Sequence, residues 1–230
     1  MCKDTKRRTP AFSQPQGLCR HLEAAREGER KRIAMEIHDE LGQLVTALRL
    51  EVSLLRENLS PDSIAVQKAE EMKVLVESIM GAARSVVNRL RPAALDFGIV
   101  PALEWLANDF RRRSQISCRL YVTGREPRLS EIHATGIFRI AQESLTNIAR
   151  HASASHVEIT LTTSSSKIEL VVSDNGKGFD MLERRPGSYG LLGMADRARM
   201  MDARLEIHSQ PGNGSVVQLR VNEDDALITE

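Results

Sequence analysis

Apolar residues recur with a helical period along the first third of the chain. From about Leu18 to Leu59 there is no proline, and the glycines are Gly28 and Gly42. Ala34, Leu41, Val45, Leu48, Val52, Leu55 and Leu59 form the stripe. After Leu41 its steps are 4, 3, 4, 3 and 4, the heptad-like phase of one long helix. Ile33, Ile37 and Leu44 widen it. Ser60-Pro61-Asp62 breaks this helix, and Asp62 or Ser63 is placed to cap the next. A second helix over about 63–90 repeats the pattern with Met72, Val76, Ile79, Ala83, Val86 and Leu90, and Pro92 stops it. Two such helices have too little core of their own and overhang the remaining chain. Pairing with a second copy buries both stripes in a four-helix bundle, so a homodimer is expected.

Beyond Leu90 the pattern changes. Leu90 to Leu95 reads as a connector, and Pro101 suits the first turn of a helix. That helix runs from Ala102 to Arg113, with Leu103, Leu106 and Phe110 on one side. Arg111, Arg112 and Arg113 form its solvated end, where cations oppose the helix dipole favourably. Ile116 to Val122 alternates as a strand, and a helix follows from about Ser130 to His151. Val157–Leu161 and Ile168–Val172 form a hairpin about Ser164-Ser165-Ser166. Asp174 to Gly190 is glycine-rich and irregular, and Leu191–Met201 is a short helix. Leu205–His208 and Val216–Val221 pair about Pro211-Gly212-Asn213-Gly214. This order predicts helices on one face of a mixed sheet, an α+β two-layer sandwich following the helical hairpin. The expected division is a disordered tail 1–17, a hairpin 18–91, a linker 92–101, a second domain 102–223 and a tail 224–230.

Composition narrows the function. Lys plus Arg is 32 against 31 for Asp plus Glu, and aromatics are 3% of the 230 residues. Neither number favours a nucleic-acid surface, so no direct nucleic-acid partner is expected. Cys2, Cys19 and Cys118 are odd in number and far apart, with neither metal-ligand nor disulfide spacing, which fits a reducing compartment. No apolar run reaches the length of a membrane span. A cytoplasmic location is expected, either alone or as the interior part of a membrane receptor.

Three segments carry candidate chemistry. Asp174-Asn175-Gly176-Lys177-Gly178-Phe179 places a carboxylate directly after a strand, ahead of two glycines. Alone it also reads as an ordinary turn, but the carboxylate can accept from an exocyclic amine and the glycines admit a ligand close to the backbone. Gly187 to Met194 puts glycines before and within the first turn of a helix, where backbone amides bind phosphate. Glu143, Asn147 and Arg150 are spaced 4 and 3, so they share a helix face. A carboxylate, a carboxamide and a guanidinium there suit Mg2+, which keeps several waters, and a triphosphate. A solvated polar stripe is the plainer reading of that helix taken alone.

Together these segments resemble the N, G1 and G2 boxes of the ATP-binding domain shared by histidine kinases, Hsp90, gyrase and MutL. Upstream, Glu29 to Gln43 closely resembles the H-box of sensor histidine kinases of the nitrate-sensor and DesK type. Leu90-Arg91-Pro92 through Leu103 is similar to the linker of that subfamily. The resemblance covers about Ala24 to Val221.

What the resemblance implies falls on named positions. His38 is the phosphoacceptor, Asp39 draws a proton from its imidazole, and Gln43 orients water for dephosphorylating the partner. Asn147 is a magnesium ligand, with Glu143 beside it. Arg150 contacts phosphate, and His151 is a secondary candidate. Asp174 reads adenine, beside Gly176 and Gly178. Gly190, Leu191 and Gly193 belong to the phosphate loop, and Ser215 supports the Asp174 end of the site. Residues 180–189 are a short nucleotide lid, with Tyr189 where a histidine or small residue is expected. ATP and Mg2+ are the implied cofactors. The implied function is autophosphorylation on His38, transfer to an aspartate of a response regulator with a helix-turn-helix output, and phosphatase activity toward it. A nucleotide-binding scaffold without transfer and an ATP-driven clamp are the competing readings; the first is opposed by His38, Asp39, Asn147 and Asp174, the second by the H-box hairpin.

Overall fold

The computed structural model describes residues 16–60, 64–90, 92–164, 166–181 and 189–222, with the backbone alone for 16–24, 89 and 189. Most of the expected tail 1–17, the tail 224–230, the caps at Asp62 or Ser63 and most of the lid 180–189 lie outside the described residues. Two long helices, α1 (Gln16–Glu57) and α2 (Ile64–Leu90), form the hairpin. Each apolar stripe divides into two rows. Val45 and Val52 of α1 and Ala69 and Val76 of α2 are buried between the helices. Leu41, Leu48 and Leu55, with Met72, Ile79 and Val86, recur every seven residues and stay between 37% and 49% exposed. Among the described residues, one chain therefore closes one row on each helix and leaves the other partly exposed.

The segment joining hairpin to sheet is more structured than a connector. Ala93–Phe97 is a 3-10 turn, and α3 (Ile99–Ser114) begins at Ile99 rather than near Ala102. Its earlier start is fixed by packing, because Ile99 is buried in the core, and by the Val100 N–H donating to Glu126 Oε1 at 3.0 Å. Pro101 remains in the first turn, where its missing N–H costs nothing.

Five strands follow: β1 (Ser117–Thr123), β2 (His156–Thr163), β3 (Lys167–Asp174), β4 (Arg204–Ser209) and β5 (Ser215–Asn222). They form one sheet in the order β1-β2-β3-β5-β4, parallel between β1 and β2 and antiparallel elsewhere. Val157, Ile159, Leu161, Ile168, Leu170, Val172, Leu219 and Val221 alternate onto one face and are buried. They pack beneath α3, α4 (Glu131–Asn147) and α5 (Tyr189–Met200). Each fully buried side chain of this size contributes about 1.5–3 kcal/mol. The opposite face carries polar pairs such as Glu169 with Arg220 and Gln218. The architecture is a helical hairpin followed by a two-layer α+β sandwich.

Ser130 caps α4 by accepting from the His133 N–H. The buried His133 ring is satisfied by Ser130 Oγ at 2.8 Å and by the Met201 carbonyl at 3.2 Å, a packing role. Cys118, in the core under α3, has its thiol pushed up to about 11 by burial, against the opposing pull of Arg111. At pH 8 only about one molecule in a thousand then carries the reactive thiolate. Iodoacetamide at pH 8 is expected to leave the Cys118 peptide unmodified in the folded protein and to alkylate it fully in guanidinium, as read by mass spectrometry.

Candidate functional site

Glu143 and Asn147 lie one turn apart near the end of α4, both half-buried. Between them Ser144 is buried. Its hydroxyl donates to the Ile140 carbonyl at 2.8 Å and lies 3.6 Å from Met194 Sδ, pinning α5 against α4. Gly190, in the first turn of α5, is thereby set against Glu143. A Cβ at Gly190 would stand 2.2 Å from Glu143 Oε1 and 3.6 Å from Asn147 Nδ2. The amino end of a 12-residue helix, with its positive dipole end, faces the carboxylate and carboxamide of α4.

After Asn147 the backbone widens into a π turn, Ile148–Ala152. Arg150 falls inside that turn, where the spacing per turn is wider than the α-helical one read from the sequence. Arg150 and His151 are exposed beside it. The π turn presents the Ala152 carbonyl to the Lys177 N–H at 2.8 Å, which ties the end of α4 to the loop after β3.

That loop is held from several sides. Asp174 ends β3, and its Oδ1 accepts from the Gly176 N–H at 2.7 Å, which fixes the carboxylate. The Asn175 side chain accepts from the Ser155 and His156 N–H groups at 3.0 and 2.9 Å and donates to Ser155 Oγ at 2.9 Å. Gly178 adopts φ +58, and a Cβ there would meet the Gln210 carbonyl at 2.0 Å. Only glycine lets the loop pass so close to the turn between β4 and β5. Ser215 pairs opposite Asp174 in the sheet. Its hydroxyl lies 3.0 Å from Ser209 Oγ, which donates to the Gly214 carbonyl at 2.9 Å and accepts from the Phe179 N–H at 2.9 Å.

Glu143, Asn147, Asp174, Gly176, Gly178, Gly190 and Ser215 are thus drawn together at the ends of α4, β3, α5 and β5. Leu191 packs partly against the core, and a Cβ at Gly193 would meet the tip of Arg197 at 3.3 Å. Asn175 and Ser209 hold this end together and escaped the sequence reading, because an Asn in a turn and a Ser ending a strand carry no pattern of their own. His38, Asp39 and Gln43 form a separate set, exposed on α1.

Residues 29–95 match the family described as histidine kinase, and residues 132–225 match that of the histidine kinase-, DNA gyrase B- and HSP90-like ATPases. The chain belongs to the histidine kinases of the nitrate-sensor and DesK type. It is 32% identical over 200 residues to the signal transduction histidine-protein kinase/phosphatase DegS of Brevibacillus brevis, covering 86% of this chain and 52% of that protein. It is 30% identical to the sensor histidine kinase LiaS of Bacillus subtilis, covering 88% of this chain and 59% of that protein. The chain therefore spans little more than half the length of these relatives. The histidine kinase domain of a blue-light activated histidine kinase from Erythrobacter litoralis shares the fold, with a TM-score of 0.52 at 15% identity, over 79% of this chain and 95% of that one.

The two glycines at the start of α5 differ in what surrounds them. Gly190→Ala displaces the Glu143 carboxylate and is expected to weaken binding of a fluorescent ATP analogue by about tenfold, about 1.4 kcal/mol. Gly193→Ala meets only a flexible arginine tip and is expected to stay within about threefold of the wild type in the same titration.

Proposed function

We propose that this chain is an ATP-dependent histidine autokinase whose acceptor is His38, and that it passes the phosphoryl group to an aspartate of a response regulator. The observation that carries the reading is the convergence of Glu143, Asn147, Asp174 and the amino end of α5 in a chain that also exposes the His38-Asp39 pair. In this reading ATP binds between the ends of α4 and β3 and the first turn of α5. Asp174, with Oδ1 fixed by the Gly176 N–H, accepts from the adenine amine. Ser215, held by Ser209, supports that end. The first-turn amides of α5 receive phosphate oxygens. Asn147 and Glu143 are too few to hold Mg2+ by themselves, and they suit a cation that keeps waters and takes most of its remaining oxygens from phosphate. Arg150 and His151 meet phosphate from the rim.

The acceptor chemistry follows from the imidazole. Asp39 takes the proton of one ring nitrogen, and the other attacks the γ-phosphorus as ADP leaves. Transfer of this kind depends on positioning and charge neutralisation more than on covalent help from the protein. Gln43, one turn beyond Asp39, orients water when the chain removes phosphate from its partner. We assign dimerisation and transfer to residues 18–91, nucleotide binding to 102–223 and coupling to 92–101, with a helix-turn-helix protein as the regulator.

The acceptor is tested directly. His38→Ala should abolish label from γ-labelled ATP while nucleotide binding is retained, and label at the wild-type level would overturn the assignment. The exposed hairpin rows supply the dimer surface, with Leu41, Leu48 and Leu55 meeting Met72, Ile79 and Val86 of a second copy. Leu48→Glu places a charge in that seam and is expected to convert a dimer to a monomer in light scattering; a wild-type mass for the variant would place the interface elsewhere.

A further inference from the structure

The nucleotide-binding unit is fastened to the hairpin through Arg139. This residue lies in the middle of α4, within the run Ile137-Phe138-Arg139-Ile140-Ala141, and its side chain is 4% exposed. Its guanidinium donates to Glu27 on α1 through Nε at 3.1 Å and Nη2 at 2.5 Å. Nη2 also meets the carbonyl of Leu90, the last residue of α2, and Nη1 donates to Gln142 Oε1 at 2.8 Å. One buried cation thus bonds both helices of the hairpin at once. Burial raises the Glu27 carboxyl, but Arg139, aided by Arg30, outweighs it and holds the group below the usual carboxylate range.

The contact fixes a direction. Lys31 pairs with Glu131 at 3.1 Å, and Glu27 pairs with Arg139. Advancing along α4 from Glu131 to Arg139 therefore retreats along α1 from Lys31 to Glu27, so the two helices run in opposite senses. Asn147 lies about 12 Å beyond Arg139 in that sense, and His38 lies about 16 Å beyond Glu27 in the other. The nucleotide end of α4 and the acceptor histidine are then separated by up to roughly 28 Å along the hairpin, whereas transfer needs the reacting atoms within about 3.5 Å. A second hairpin aligned in parallel presents its histidine at the same height and gains nothing.

On the other side of the linker, hairpin and sandwich are not close-packed. A cleft of about 470 Å3 opens between Gly81, Arg84 and Asn88 of α2 and Trp105, Asp109 and Arg112 of α3. It gives the sandwich room to swing once the Arg139 contact opens. Because Arg139 bonds α1 and α2 together, a rotation of α1 that carries Glu27 away from Leu90 breaks the bidentate arrangement.

We infer that Arg139, Glu27 and the Leu90 carbonyl form an interdomain latch that parks the nucleotide site away from His38, so that opening the latch is required for autophosphorylation. The inference rests on His38 being the acceptor. Glu27→Ala opens the latch from the hairpin side and leaves the sandwich core intact. In the full chain it is expected to raise the initial rate of label incorporation by roughly fivefold or more, with nucleotide affinity unchanged, and to enlarge the radius of gyration in solution scattering. Glu27→Gln, whose amide oxygen still accepts from the guanidinium without the charge, is expected to fall between the wild type and Glu27→Ala in both radius and rate. A variant that neither expands nor speeds up overturns the latch, and one that expands without a faster rate overturns its restraint of transfer. Label that persists when His38→Ala is added sinks the acceptor assignment alone, and the scattering still decides the latch.

Discussion

A guanidinium cannot shed its charge in a protein, so a buried arginine must be met by partners or the surrounding fold gives way. Arg139 imposes that condition on the whole chain. It sits on α4, whose neighbouring residues Ile137, Phe138 and Ile140 are wholly buried in the core. Its partners are on the hairpin. Removing one partner of such a pair typically costs about 3–5 kcal/mol, because the other charge is left buried alone. The sandwich therefore meets the hairpin through a buried polar contact at Arg139 and an exposed one between Lys31 and Glu131. A contact of that kind is either made or broken, which suits a joint between two arrangements better than a greasy surface would.

The nucleotide end of the molecule follows a related economy. α4 delivers Glu143 and Asn147, then loosens into a π turn that hands the Ala152 carbonyl to the loop after β3. The loop is fixed by Asn175 to the start of β2 and by Gly178 against the turn between β4 and β5. Ser209 closes the circle by bonding Phe179 and Gly214 and touching Ser215. Two of the three groups assigned to the ligand's base and cation, Asp174 and Glu143, are carboxylates held by packing and backbone geometry. This leaves their charge available to what binds between them.

The hairpin separates two functions in one heptad pattern. The rows at Val45 and Val52, and at Ala69 and Val76, give each chain its own helix pair. The rows at Leu41, Leu48 and Leu55, and at Met72, Ile79 and Val86, remain for another surface. His38 falls seven residues before Val45, in the inner row by phase, yet it is exposed. The buried row continues past it at Ala34, so the histidine lies along a seam without being sealed inside it.

The sequence by itself determined the elements and most of the chemistry, because periodicity, prolines and glycines act locally. The two-helix stripe, the alternating strands and the glycines around Asp174 were all legible for that reason. Tertiary structure decided what depends on the chain meeting itself. It divided each hairpin stripe into a closed and an open row, started α3 at Ile99 on the strength of core packing and an Oε1 acceptor from Glu126, and ended α4 in a π turn over Ile148–Ala152. It also chose the partner of Arg139. Arg139 was not singled out in the sequence, and Glu27 lies 112 residues away. Nothing local in a helix specifies which distant carboxylate will neutralise it.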